Sequence, residues 1–290
     1  MKLTIDENDR GKRLDQFVLA LYPALSRAFI KRLIEDGKIT VNQEVLKSGH
    51  RLRIGQIVDI QFDPVELEQI ESIDLPVLYE DDDVLVVDKP SGVISHARGK
   101  FWNEPSVASF VRERSGQVGE RAGIVHRLDR ATSGVMICAK NSQALKFLQR
   151  QFADRTVEKT YIAIIRGTLD PPKAIIDVAL ARNPAKPQTF MADPNGKSAV
   201  TTYEITKDNG VYSEVTMLPK TGRSHQLRVH LHYVGHPIVG DLLYGGEPAE
   251  RLLLHAASLR ITLPSGETKL FEAPLPAAFN TIMKSEKMHA

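Results

Sequence analysis

Leu14, Phe17, Val18 and Leu21 recur at the spacing of one helical face, which predicts an amphipathic helix over residues 12–21, with Pro23 just beyond it. A second helix is expected to begin at Ser26, a good N-cap, and to stop at Gly37. Its apolar face is Phe29, Ile30, Leu33 and Ile34, and Arg27, Lys31 and Arg32 fall on the opposite side. Strand-like pieces follow at 38–42 and 57–61. From residue 84 onward short apolar runs dominate, at 84–87, 134–138, 161–165 and 211–215, with helical stretches such as 142–152 between them. These strands are not regularly spaced between helices of similar length. The pattern therefore predicts an α+β fold with a mixed, largely antiparallel sheet and flanking helices, not a doubly wound one. Residues 183–197 hold three prolines and one glycine and read as an irregular loop. No internal repeat is visible.

Composition narrows the class. The chain has 290 residues, 42% of them apolar, enough for one large domain or a large one plus a small one. The pattern divides it into a small module at 1–62, an acidic linker at 63–83 that leads into the first strand of the next domain, and a large domain over 76–290. No apolar stretch approaches the ~20 residues of a membrane helix. The start Met1-Lys-Leu-Thr-Ile-Asp6 lacks the basic and apolar segments of a signal peptide. The single cysteine, Cys138, lies in an apolar run and reads as core filler, and one thiol per chain suits a reducing compartment. A soluble, cytoplasmic protein is expected.

The net charge of +2 conceals an asymmetry. Residues 10–55 carry ten Lys/Arg against four Asp/Glu, residues 63–83 carry nine acidic side chains and no basic one, and residues 84–290 carry 27 basic against 19 acidic. Basic surfaces attract polyanions, because neutralising phosphates releases counterions; solvated charge is the bland alternative. The acidic linker should repel itself into an extended form and stay off nucleic acid. Two short helices with basic outer faces, followed by Gly37-Lys38-Ile39-Thr40-Val41-Asn42, resemble an S4 RNA-binding domain over about 50 residues. The resemblance implies phosphate contacts at Arg13, Arg27, Lys31, Arg32 and Lys38.

The most informative stretch is His126-Arg127-Leu128-Asp129-Arg130-Ala131-Thr132-Ser133-Gly134, a strongly polar segment running into an apolar strand. Flanking arginines favour an ionised Asp129, which suits a nucleophile or an electrostatic stabiliser better than a general acid. On these residues alone, a structural turn with a salt bridge is the favoured reading. The segment resembles the signature of the RluA-type RNA pseudouridine synthases. Four further matches lie around it in the family's order: 83–92, ending Asp88-Lys-Pro-Ser-Gly92; Val157-Glu-Lys-Thr-Tyr161; Gly196-Lys-Ser-Ala-Val-Thr201; and Thr221-Gly-Arg-Ser-His-Gln-Leu-Arg-Val-His230, followed by Gly235-His-Pro-Ile-Val-Gly-Asp241.

That resemblance implies isomerisation of uridine to pseudouridine within structured RNA, with 23S ribosomal RNA in ribosomes or pre-50S particles as the expected target. Asp129 would be the catalytic carboxylate. Tyr161 would stack on the target base and is the candidate base at its carbon 5. Arg228 would hold Asp129 in a buried, two-pronged ion pair, on a helix over 225–234 capped by Ser224 and ended by Gly235. Leu227, Leu231 and Val234 would pack inward. Arg127, Arg130 and Arg223 are expected RNA contacts, with Arg182, Lys186 and Lys197 beside the irregular loop. An isomerisation needs no cofactor, no nucleotide and no metal, and by analogy the chain is expected to be a monomer.

Other motifs carry less. Asn195-Gly-Lys-Ser198 lacks the earlier glycine of a phosphate loop. His225, His230, His232 and His236 fit no common zinc spacing, and no serine sits in a Gly-x-Ser-x-Gly elbow. A non-catalytic RNA-binding factor and a glycosidase using paired carboxylates remain as competing classes.

Overall fold

A computed structural model describes residues 1–23, 25, 27–62, 72–96, 104–115 and 121–284. The chain divides into two compact units, Met1–Ile73 with His96–Pro105, and Asp74–Ser95 with Ser106–Ala290.

The first unit follows the order β1 (Lys2–Thr4), α1 (Leu14–Leu21), α2 (Arg27–Glu35), β2 (Ile39–Val41), β3 (Ile57–Ile60). Its three strands pair antiparallel in the order β1-β3-β2. The two helices bury most of the predicted faces: Leu14, Phe17 and Val18 from α1, and Phe29, Ile30, Leu33 and Ile34 from α2, share one core with Ile39, Val41, Val58 and Ile60, whereas Leu21, expected on the α1 face, is exposed at the last turn. β1 spans only three residues, too few for the alternation of Met1, Leu3 and Ile5 with polar neighbours to mark a strand by itself; pairing of Leu3 with Val58 fixes it. Helix α1 starts at Leu14 with Arg13 as its N-cap. Ser26, the expected cap of α2, and residues 63–71 of the expected linker lie outside the described residues. Gly37 ends α2 with φ +72°, a backbone shape that favours glycine.

The second unit contains β4 (Val77–Glu80), β5 (Val84–Lys89), α3 (Val107–Ser115), β6 (Ser133–Ala139), α4 (Ser142–Asp154), β7 (Glu158–Arg166), β8 (Lys173–Asp177), β9 (Leu180–Arg182), β10 (Phe190–Ala192), β11 (Val200–Asp208), β12 (Tyr212–Pro219), α5 (Gln226–Tyr233), β13 (Leu254–Thr262), β14 (Thr268–Glu272) and α6 (Ala277–Lys284). The main sheet runs β4-β5-β6-β13-β7-β12-β11-β8, with β14 added to β13. Among the described strands only the β6–β13 contact is parallel, so the sheet is mixed and largely antiparallel, as the irregular strand spacing implied.

Two details correct the sequence reading. The end of the acidic stretch is structured: β4 pairs with β5, and the Asp81 carboxylate accepts the Asp83 and Val84 amides in the turn between them. The stretch 183–197 is not wholly irregular, because Phe190–Ala192 pairs antiparallel with β9.

Strand β6 is buried along its whole length, the expected state of an apolar run flanked on both edges. Helix α4 is set by Asn141, whose side chain accepts the Gln143 and Ala144 amides, and is ended by Arg155 in the left-handed conformation. Leu227 and Leu231 of α5 pack into the core over β7, β12 and β13, with Val234 at its margin. Cys138 lies in β6 with no exposed surface, and burial pushes its thiol up from the ordinary value.

Candidate active site

The 126–132 segment is held from behind by the turn that follows β5. Ser95 Oγ donates to the Leu128 carbonyl at 2.8 Å and accepts the Leu128 amide at 3.1 Å. Ser91 Oγ donates to the Ala131 carbonyl, and the Gly92 amide to that of Arg130. Lys89, with no exposed surface, donates from Nζ to the carbonyls of Pro90, Val93 and Arg130 at 2.9, 2.7 and 3.2 Å. On the other flank Gly134 takes φ +114°, and a Cβ there would overlap the Ala256 carbonyl. Only glycine permits the close β6–β13 approach at this point. The polar segment is thus a fixed shelf, and the half-buried Asp129 points from it into a cleft of about 430 Å³.

Tyr161 enters the same cleft from β7, and Arg228 from α5. The Arg228 guanidinium reaches Asp129 Oδ2 with Nη1 at 3.8 Å. Its two-pronged partner is a different acid: Nε and Nη2 donate to the Asp241 carboxylate at 2.6 and 2.7 Å. The expected two-pronged Arg228–Asp129 pair is therefore corrected to a single longer contact, because the fork is already filled. The Asp241 side chain is 1% exposed, and such a charge needs a partner wherever it is buried. The guanidinium also lies 5.0 Å from the centre of the Tyr244 ring, an arrangement that favours a cation. Arg228 is locked in place, with one edge left facing Asp129.

Helix α5 is not capped by Ser224. Its N-cap is His225 at φ 56°, without a side-chain cap. Gln226 organises the entry instead: its Oε1 accepts from Thr221 Oγ1 and the Arg223 amide, and its Nε2 donates to Thr201 Oγ1 and the Val200 carbonyl. The His225 ring meets the Tyr244 hydroxyl at 2.8 Å.

The Tyr161 hydroxyl has no hydrogen-bond partner among the described residues. Burial, and then the charge of Asp129, push the phenol up from its ordinary value. His126 is neutral: its Nε2 accepts the Ile137 amide at 3.1 Å, and burial, with Lys159 nearby, lowers it to about 3. Arg127, Arg155, Lys159, Lys220, Arg223 and Arg228 line the cleft, against the single carboxylate of Asp129 among the described lining residues. A cleft with one anion among so many cations suits a polyanionic substrate brought to one reactive carboxylate.

The RNA pseudouridylate synthase family model matches residues 83–233, which span the Asp129 shelf, Tyr161 and α5, and the S4 domain model matches residues 12–58. The chain belongs to the RNA pseudouridine synthase family. An uncharacterized RNA pseudouridine synthase of Aquifex aeolicus is 36% identical over 96% of this chain and 95% of its own length. The ribosomal large subunit pseudouridine synthase D of Vibrio cholerae is 34% identical over 94% of this chain and 90% of its own. Among solved structures, human RNA pseudouridylate synthase domain containing 1 matches with a TM-score of 0.60 at 29% identity, over 75% of this chain and 90% of that one. The chain is thus an RNA pseudouridine synthase of the type its motifs resembled.

The structure brings Asp129, Tyr161, Arg228, Arg127 and Arg223 to one cleft. Arg223 is anchored there through Nε to the Ser198 carbonyl. Arg130 is exposed and not part of the lining; its Nη1 lies 3.4 Å from the Gly92 carbonyl. Arg182, Lys186 and Lys197 are exposed around β9 and β10, also outside the lining, and Arg182 donates to the Pro187 carbonyl. In the S4 unit Arg27, Lys31, Arg32 and Lys38 are exposed, Lys31 and Arg32 within 3.5 and 3.6 Å of Glu35 and Asp36. Arg13 is already engaged two-pronged by Asp15 at 2.9 Å.

Sequence reasoning missed Asp241, Tyr244 and Lys89. Asp241 had a signal, as the acid that ends the segment following the motif containing Arg228. Lys89 had a weaker one, a lysine ending an apolar strand just before Pro90.

Proposed function

We propose that this enzyme converts uridine to pseudouridine in structured ribosomal RNA, 23S rRNA by analogy with its relatives named for the large subunit, with Asp129 as the catalytic carboxylate. The observation that carries the reading is the convergence of Asp129, Tyr161 and the locked Arg228 in one cation-rich cleft. In the overall reaction the bond from ribose C1′ to uracil N1 breaks, one from C1′ to C5 forms, and a proton moves from C5 to N1. No electrons are gained or lost and no group donor is required. Asp129 starts the sequence at the sugar, with the Arg228 edge offsetting its charge. Tyr161 offers an aromatic face to the extruded base, worth about 1–3 kcal/mol as a stacking platform.

The raised phenol makes a standing phenolate unfavourable. Tyr161 therefore serves at C5 only if its own proton passes on as it takes the new one, with uracil N1 as the final acceptor and Asp129 left as a carboxylate. Arg127 and Arg223 hold phosphates that flank the target. The cost of extruding the base, a few kcal/mol, is offset by such backbone contacts. Residues 1–62 form the S4-type RNA-binding module, 63–83 the connection, and 76–290 the catalytic domain. The protein acts as a monomer, and its single buried thiol fits a cytoplasmic setting.

The test is direct. Purified enzyme without added metal is expected to release tritium from rRNA labelled at uracil C5, and Asp129→Asn to release none. Substantial release by that variant would remove Asp129 from the mechanism.

A further inference from the structure

His126, Phe152, Arg155 and Lys159 line the same cleft as Asp129 and Tyr161. Lys159 and Tyr161 are two residues apart on β7, so both leave the same side of the strand. Arg155, an exposed residue, reaches the cleft from the left-handed end of α4. Neither Lys159 nor Arg155 has a side-chain hydrogen bond or ion pair among the described residues. The Lys159 ammonium is half-buried, and burial and then the Arg155 charge lower it from the ordinary lysine value. Two unpaired cations side by side, one of them shielded from water, are unfavourable unless an anion joins them. The aromatic residues lining the cleft near Lys159 supply none: His126 is neutral and stacks on Phe152 with ring centres 4.6 Å apart and planes 16° from parallel. The result is a cation pair and a stacked aromatic pair lining the cleft that holds Asp129.

We infer that Lys159 and Arg155 form a subsite for a phosphodiester of the RNA strand next to the target nucleotide, with the His126–Phe152 pair lining the same cleft. The inference rests on the function proposed above. Through this subsite the strand is gripped beside the extruded uridine, and Lys159 links the grip to Tyr161 along one strand. Lys159 acts on binding and register, and it takes no proton from the reacting base.

The experiment uses RNA oligonucleotides carrying the target uridine, with the phosphodiesters on its 5′ and 3′ sides replaced one at a time by neutral methylphosphonates. Turnover is read by tritium release, and binding by fluorescence anisotropy with Asp129→Asn enzyme, alone and combined with Lys159→Gln or Arg155→Gln. Either change is expected to raise KM and Kd about tenfold, with a smaller effect on kcat, and to reduce the salt slope of binding by about 1. Lys159→Arg should restore most of the affinity. One neutral linkage should cost the parent enzyme a similar factor yet cost the Lys159→Gln enzyme little more. Unchanged KM and Kd in both variants, or losses that simply multiply with every neutral linkage, would overturn the subsite while leaving the enzyme's function intact. Absent turnover with Lys159-dependent, linkage-specific binding would do the reverse.

Discussion

Lys89 is a fully buried, titratable side chain behind the Asp129 shelf. Three carbonyls accept from its Nζ, matching the three donors of an ammonium. Burial still dominates: it lowers Lys89 from 10.5 to about 7, with Asp129 opposing and Arg251 and Arg130 reinforcing the shift. Between those two values the unfolded chain binds the proton more than the folded one. This lysine's contribution therefore rises with pH from about 7 to about 10.5. Lys89→Met should cost about 2 kcal/mol or more, by leaving buried carbonyls without a donor. The penalty, read from urea unfolding, should be larger at about pH 9 than at about pH 7. A penalty that shrank with rising pH would show that the ammonium persists in the folded protein. Sequence could not reveal this role, because the three acceptors come from two chain segments some 40 residues apart.

At the scale of elements, the site depends on β6 lying against β13 where the Asp129 shelf ends. Gly134 allows that contact. Gly134→Ala combines an unfavourable φ with a Cβ that meets the Ala256 carbonyl, and should destabilise the protein by about 3 kcal/mol or more. Because the shelf is displaced, tritium release should fall further than the unfolded fraction explains; near-normal stability in thermal unfolding would contradict this account. The strands around that contact were legible, since each long apolar run between turn residues became a sheet strand. Their extent was less so: β7 runs over nine residues although only 161–165 stand out as apolar. The start of α5 was misread because Ser224 satisfies the local capping rule. The chain uses Gln226 and the Thr201–Thr221 hydroxyls instead, partners that only the β11–β12 pairing brings to the helix.

For the whole molecule, a catalytic unit joined to an S4-type unit predicts that RNA affinity has a salt-dependent share outside the cleft. Arg27, Lys31 and Arg32 lie on the exposed side of α2, and the ion pairs of Lys31 with Glu35 and Arg32 with Asp36 are too solvated to stabilise the fold much. Replacing all three by Gln should leave the thermal midpoint nearly unchanged and reduce the salt slope of rRNA binding by up to about 3. An unchanged slope would mean that this face is only solvated charge. Local order was enough to make much of the molecule readable: apolar periodicity marked the helices and most strands, and a strongly polar segment marked the Asp129 shelf, because both are properties of neighbouring residues. Tertiary structure alone decided who pairs with whom. It gave the fork of Arg228 to Asp241, left Lys159 and Arg155 without partners among the described residues, and buried Lys89 behind the shelf. Charges find partners by distance in space, and a linear string does not contain those distances.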